Sequence, residues 1–418
     1  MGWMKKSALV MLAILLAAAV LAGCGQTKKQ QAPAGQAPAG QGQGQADAIK
    51  IGAILPLSGP AADSGQQMRN GYRTALKELE KKGWILNGRK IDLLIEDGKG
   101  DPATSVAAME KLVTKDKVEI ILGTISSTVD VALAEPMKKY QPIFACTGGA
   151  STSVEKAFGD APWFFHFHPW EYDNVRSLGE CLKAVGGPGK LVIAHEDGIF
   201  GTTNINMIKE IMAPLGFEPV KTLTFKSGSP DLSSVLTLAR QTPHDYFIWI
   251  GYPADANTIA TQMKELNYSP KLTVGYTPGW PQGFGKLPQG NYMAALGMWS
   301  PDIPTAKSQE FVRAYTEATG EKPQTYWAAM AYVNLLTVAD AIDKAGSTKK
   351  EAVIAALEQG KWETPLGTLK FHKSKISPHA GFDYQVLMQW QNGKMEVVAP
   401  ADKATAKAVF PVPAWDKR

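Results

Sequence analysis

Ile49-Lys50-Ile51-Gly52-Ala53-Ile54-Leu55 is an apolar, strand-like run that ends in the small, hydroxyl-bearing turn Pro56-Leu57-Ser58-Gly59-Pro60. From Asp63 to Lys82 the period changes: Met68, Tyr72, Ala75, Leu76 and Leu79 share one face at helical spacing. The alternation then repeats. Ile91 to Glu96 is a second strand, and Asp101-Pro102 offers an N-cap and an N1 proline for a helix to about Lys115. Val118 to Leu122, a helix over Thr128 to Lys139, and Pro142 to Cys146 continue it. Apolar strands separated by such helices predict a parallel sheet covered on both faces.

A second series follows, with strands at Leu191–His195, Val220–Phe225, Tyr246–Ile250 and Leu272–Gly275. Helical stretches at Thr203–Leu215, Asp231–Arg240 and Ala256–Leu266 lie between them, and a third block, Ala306 to Ala345, is helical throughout. The expected class is α/β, with two doubly wound parallel-sheet lobes and a cleft between them. Ligands of open α/β sheets bind beyond the carboxyl ends of the strands.

The chain has 418 residues, 44% hydrophobic and 20% charged, a balance that excludes disorder, collagen and a multi-span membrane protein. The net charge of +5 is too small to argue for nucleic acid, and three cysteines exclude a disulfide scaffold or a four-cysteine zinc site. Lys5 and Lys6 precede an apolar run from Ala8 to Leu21, too short to span a bilayer, and Leu21-Ala22-Gly23-Cys24 closes it. That closing resembles a bacterial lipobox, which implies a signal peptide over 1–24, export, and lipidation of Cys24. Residues 25–48, rich in Gln, Ala, Pro and Gly, form a tether of about 27 Å as a random coil.

Three strand-end loops carry hydroxyls and free backbone N–H groups: Pro56 to Ala62, Gly123 to Thr128, and Thr147 to Ser153. Amides at a helix N-terminus favour an anion, and Ser126 and Ser127 are placed to add donors. Serines there commonly only cap the helix. Three such loops on consecutive strands point to a small polar ligand.

Ile49-Lys50-Ile51-Gly52, Pro56 to Pro60, Asn70-Gly71, Asp97 with Asp101-Pro102, and the Gly123…Ser126-Ser127 loop together resemble the branched-chain amino acid (Leu/Ile/Val) solute-binding proteins of ABC transporters. Phe200-Gly201, Gly251-Tyr252 and Thr364-Pro365-Leu366-Gly367 fit the same order, and the resemblance spans about residues 48–400. It implies a type I periplasmic-binding-protein fold with three crossover strands, near Phe167, Trp299 and Tyr384. Lobe I is then 48–167 plus 300–384 and lobe II 168–299 plus 385–418, closing on ligand about a hinge. It further implies an extracytoplasmic, monomeric, lipid-anchored receptor that delivers its ligand to an ABC permease and ATPase, without cofactor, metal or nucleic acid.

By the same resemblance, Ser126, Ser127, Gly149 and Ala150, with Ser151 beside them, hold a ligand carboxylate, and Phe200 and Tyr252 add aromatic walls. The acid that pairs with an amino acid's ammonium is expected after Gly275, where Tyr276-Thr277-Pro278 stands; Ser64 occupies the place of an aromatic. An unpaired, partly desolvated ammonium is costly, so the pocket suits a carboxylate, amide or aromatic acid better. Asp255 and Asp197 are possible substitutes, though aspartates there commonly cap helices. In Trp163 to Trp170, alternation puts Phe165 and Phe167 in the core and lets His166 and His168 face the cleft. His166, Trp280 and Trp299 are further pocket candidates.

An enzyme on the same architecture would need a phosphate or nucleophile motif, and G-x-G-x-x-G after Ile51, G-x-x-x-x-G-K-[ST], G-x-S-x-G and H-E-x-x-H are all missing. His166 and His168 are a close enough pair to share a metal, but packed histidines are the simpler expectation. Cys146 and Cys181 are expected as free, buried thiols. A ligand sensor on the same fold is the remaining alternative to a transport receptor.

Overall fold

The apolar runs pair into two separate sheets. In the first, β1 (Ile49–Leu55), β2 (Ile91–Asp97), β3 (Ile120–Gly123), β4 (Ile143–Cys146) and β5 (Phe164–His166) lie in the order β2-β1-β3-β4-β5, every pair parallel. The connecting helices are α1 (Ala62–Lys81), α2 (Pro102–Thr114), α3 (Ser127–Tyr140) and α4 (Thr152–Phe158). Asp101 caps α2 as its position predicts, accepting from Thr104 N at 2.8 Å. Along β1 the side chains alternate: Ile51, Ala53 and Leu55 pack under α1, while Ile54 joins Met109 and Leu112 of α2 on the other face. Gly52 leaves that second face room, since a Cβ there would stand 3.0 Å from Leu112.

The computed structural model describes residues 48–418, all within one compact unit. The signal-peptide and Cys24 lipidation readings, and the tether up to residue 47, fall outside the described residues.

After α5 (Glu171–Val185) comes the second sheet, with β6 (Lys190–Glu196), α6 (Ile199–Met212), β7 (Glu218–Phe225), α7 (Ser233–Arg240), β8 (Tyr246–Ile250), α8 (Pro253–Glu265), β9 (Leu272–Tyr276) and β10 (Ala294–Gly297). The chain returns to the first sheet as α9 (Ala306–Thr319), α10 (Tyr326–Ala345), α11 (Lys350–Gln359) and the small hairpin β11 (Trp362–Thr364) and β12 (Gly367–Leu369). It then adds β13 (Val386–Gln391) and β14 (Lys394–Ala399) to the second sheet, whose order is β14-β13-β10-β9-β8-β6-β7. The chain passes between the sheets within residues 167–170, 298–305 and 370–385.

Three local differences from the sequence reading have physical causes. Residues 306–345 are two helices, because Gly320 ends α9 in the left-handed conformation (φ 85°) and Pro323 follows. The second sheet is mixed: β13 runs antiparallel to β10, and Asn392-Gly393, at φ 52° and 82°, turns it straight into β14. Helix α6 begins four residues before the predicted Thr203, because the Glu196 carboxylate accepts Gly198 N and Gly201 N at 2.6 Å each and organises its first turn.

Candidate ligand-binding site

Loops at the carboxyl ends of β3, β4, β8 and β9 surround a narrow cavity between them. One wall is Ile125 and the Gly148-Gly149-Ala150 loop, with Tyr326 and Trp327 from the first turn of α10. The opposite wall is Phe200, Tyr252, Tyr276, Thr277 and Pro278, with His168, Leu296 and Gln385 completing it. Of the residues singled out in the sequence, the structure brings Gly149, Ala150, Phe200, Tyr252 and Thr277 together here.

The glycine loop has a strict steric origin. Gly149 sits at φ 65°, and a Cβ on it would lie 1.9 Å from Asp130 Oδ2. Asp130 is fully buried on α3, takes hydrogen bonds from the Thr124 hydroxyl and, at 3.5 Å, the Cys146 thiol, and burial lifts its pKa to about 7. Burial likewise pushes the Cys146 thiol up, with the Asp130 carboxylate adding to it. The loop that faces the cavity therefore rests on an acid poised between its two protonation states.

The serines have protein partners. Ser126 stands at the N-cap of α3 without capping it, and its Oγ accepts from Tyr252 OH at 3.3 Å, across the cleft. Ser127 Oγ accepts from Ser151 N at 3.3 Å. Ser151 caps α4, accepting from Ser153 N at 3.0 Å, and meets Thr203 Oγ1 at 3.0 Å. Ser64 is buried and donates to Pro278 O at 2.8 Å, which joins α1 to the loop after β9. Thr277 donates to Gly279 O at 3.1 Å.

His166 is not in the cavity wall. Its Nε2 lies 2.6 Å from Gly148 O, its ring stacks on Trp170 at 3.6 Å, and burial depresses its pKa to about 3. It props the glycine loop from behind. His168, two residues on, does line the cavity, stacked on Trp327 at 5.7 Å, and burial holds its pKa at about 4, so it is neutral. Trp280 packs against Trp249, Phe284 and Trp390 in the second sheet's core. Trp299 donates to Ser308 Oγ at 2.8 Å in the first sheet's core.

Among the described residues no acidic side chain lines the cavity. Asp255 accepts from Tyr252 N, Gly228 N and Ser227 OH, so it serves the start of α8, and Asp197 is exposed. Glu171 is buried among Thr152 and the Thr203 hydroxyl, and Glu196 holds the turn into α6. Among the described residues no group of three or more His, Cys, Asp or Glu is placed to hold a metal, and no helix is long and apolar enough to cross a membrane. Cys146 and Cys181 are buried, unbonded thiols.

A family model described as periplasmic binding protein matches residues 48–394. The chain belongs to the periplasmic binding protein family. Members of this family are solute receptors of ABC transporters that work outside the cytoplasm, and this receptor is therefore not an enzyme. A Leu/Ile/Val-binding protein homolog of Brucella abortus is 24% identical over 384 residues, covering 87% of this chain and 94% of its own. The fold is that of the type I binding proteins. An R. palustris solute-binding protein solved with benzoate superposes with TM-score 0.77 at 19% identity, over 87% of this chain and 99% of its own. A branched-chain amino acid binding protein of Streptococcus pneumoniae solved with isoleucine gives 0.72 at 21%, over 87% and 100%.

Sequence reasoning missed Tyr326, Trp327 and Gln385 as wall residues. Tyr326 and Trp327 lay hidden inside what reads as one helical block; the Gly320 and Pro323 break before them was the available signal. Gln385, in the last passage between the sheets, carries no local signal at all.

Proposed function

We propose that this receptor is anchored to the membrane through lipidated Cys24 and captures a small carboxylic acid that lacks an ammonium, with aromatic acids fitting best, for delivery to an ABC permease. The observation that carries the reading is the neutrality of the cavity. Five aromatic rings and a neutral histidine surround it, and no carboxylate is available to pair with an α-ammonium. Placing that ammonium there unpaired costs several kcal/mol, about what a small ligand gains from burying its apolar part. A carboxylate needs only hydrogen-bond donors, and backbone N–H groups at Gly149 and Ala150, beside the start of α4, are of that kind.

Gly149, Ala150 and Trp327 on one side and Phe200, Tyr252 and Gln385 on the other belong to the two proposed lobes, 48–167 plus 300–384 and 168–299 plus 385–418. A ligand touching both favours the closed arrangement, because only differential contact can shift such an equilibrium. The benzoate complex of the R. palustris neighbour agrees with this reading. The Leu/Ile/Val relatives and the isoleucine complex favour a second one, a branched-chain amino acid.

Calorimetric titration separates the two. Benzoate and its substituted analogues are expected to bind and leucine, isoleucine and valine to fail. Binding of any of the three amino acids at micromolar affinity, with the acids inert, would refute the neutral-cavity argument.

A further inference from the structure

Three residues of the cavity wall each leave a buried polar atom without a protein partner: Tyr276 OH, Trp327 Nε1 and Gln385 Oε1. Trp327 is 1% exposed and Gln385 4%. The Asn174 and Asn204 carboxamides stand beside the Tyr276 hydroxyl, but neither meets it in hydrogen-bonding geometry. Orphaned polar atoms are rare in folded proteins, and three on one cavity ask for a ligand that satisfies them.

The polarity of each atom follows from a chain of contacts around His168. Its Nδ1 lies 2.9 Å from Pro169 O, so Nδ1 carries the hydrogen and Nε2 is an acceptor. That acceptor faces Tyr326 OH at 3.2 Å and Gln385 Nε2 at 3.5 Å, both donors. The same tautomer therefore decides the orientation of the Gln385 carboxamide: the amino group turns to His168 and Oε1 is left as an unmatched acceptor. Trp327, its ring stacked on His168, presents an unmatched donor, since an indole N–H can do nothing else. A second carboxylate cannot donate to Gln385, and an ammonium cannot accept from Trp327. A hydroxyl or a carboxamide does both without charge.

Resting on the reading of the ligand as a carboxylic acid, we propose that it carries a second, uncharged polar group, a hydroxyl or carboxamide, that donates to Gln385 Oε1 and accepts from Trp327 Nε1–H. These two residues then set specificity among acids of the same size, because an acid lacking the group leaves both atoms unpaired in a dry site.

The test is calorimetric titration of the full-length protein with benzoate, its three hydroxy isomers, 3- and 4-carbamoylbenzoate, and leucine. At least one hydroxy or carbamoyl acid is expected to bind about tenfold more tightly than benzoate, or better. In Trp327→Phe and in Gln385→Met that ratio should fall to about twofold. Should Trp327→Phe melt as an unfolded protein, the Gln385→Met ratio and the wild-type comparison still decide. Benzoate binding as tightly as every substituted acid, or a preference that survives both substitutions, overturns this inference alone. Leucine binding with all acids inert, or no binding by any probe, overturns the carboxylic-acid reading along with it.

Discussion

Replacing Asp130 by Asn isolates the buried acid beneath the glycine loop. Free aspartate titrates near 3.8, whereas burial lifts Asp130 to about 7. The folded chain therefore binds the proton more tightly than the unfolded one between those two values, and stability falls as pH rises through that window. The full effect above pH 7 is about 4 kcal/mol, at about 1.4 kcal/mol for each tenfold change in proton affinity. Asparagine is isosteric, still accepts from Thr124, and never ionises. We expect Asp130→Asn to match the wild type in denaturant midpoint only at about pH 4 and below and to exceed it progressively up to pH 8, by less than the 4 kcal/mol ceiling because the wild-type site relaxes on ionisation. Binding adds a second readout. The ionised carboxylate lies directly under Gly149, so wild-type affinity for an anionic ligand should weaken from pH 6 to 8 and that of Asp130→Asn should stay flat. A variant whose stability tracks the wild type at every pH from 5 to 8 would refute the buried-acid argument.

Two further substitutions probe the contacts that join the walls of the cleft. Ser64→Ala removes the buried hydrogen bond to Pro278 O and should weaken ligand binding about three- to tenfold by calorimetry, with a melting temperature within a few degrees of wild type. Glu171→Ala strips the partner from Thr152 N and the Thr152 hydroxyl at a buried site, while the Thr203 hydroxyl keeps Ile199 O as an acceptor, and chemical denaturation should show a loss of about 2–3 kcal/mol.

The alternation of strand and helix was legible because each apolar run is as long as the element it forms, and so was the partition of aromatic residues. Phe165 and Phe167 go to the core, as their parity requires, and edge-on contacts with Phe371 at 5.0 and 5.1 Å explain why both rings are needed there. The serines were harder. A hydroxyl at a helix N-terminus has the same local sequence whether it holds a ligand, caps its own helix, or meets another loop. Ser127 and Ser151 satisfy each other's loop only because β3 and β4 are neighbours in the sheet. The same limit hid Gln385, which reaches His168 across 217 residues of chain. His166 fails as a wall residue for a third reason: alternation does set it opposite Phe165, but that face of β5 is covered, with Phe164 and Trp170 packed against its ring.

Polar groups around the cleft divide into two sets with opposite consequences for the proposed hinge. Ser64 with Pro278, Ser126 with Tyr252, Ser151 with Thr203, and Thr128 with Ile199 N at 3.3 Å pair protein with protein across it. At about 1 kcal/mol net for each, they stabilise closure whether or not ligand is present. Tyr276, Trp327 and Gln385 do the reverse: in a closed, dry cavity their unpaired atoms cost about 1–3 kcal/mol apiece and favour reopening. A solute that matches the unpaired atoms removes the cost and tips the equilibrium toward closure. One that fills the volume but leaves them unmatched gains burial and little else. Selectivity in such a receptor is therefore expressed in closure itself, the property a permease can read.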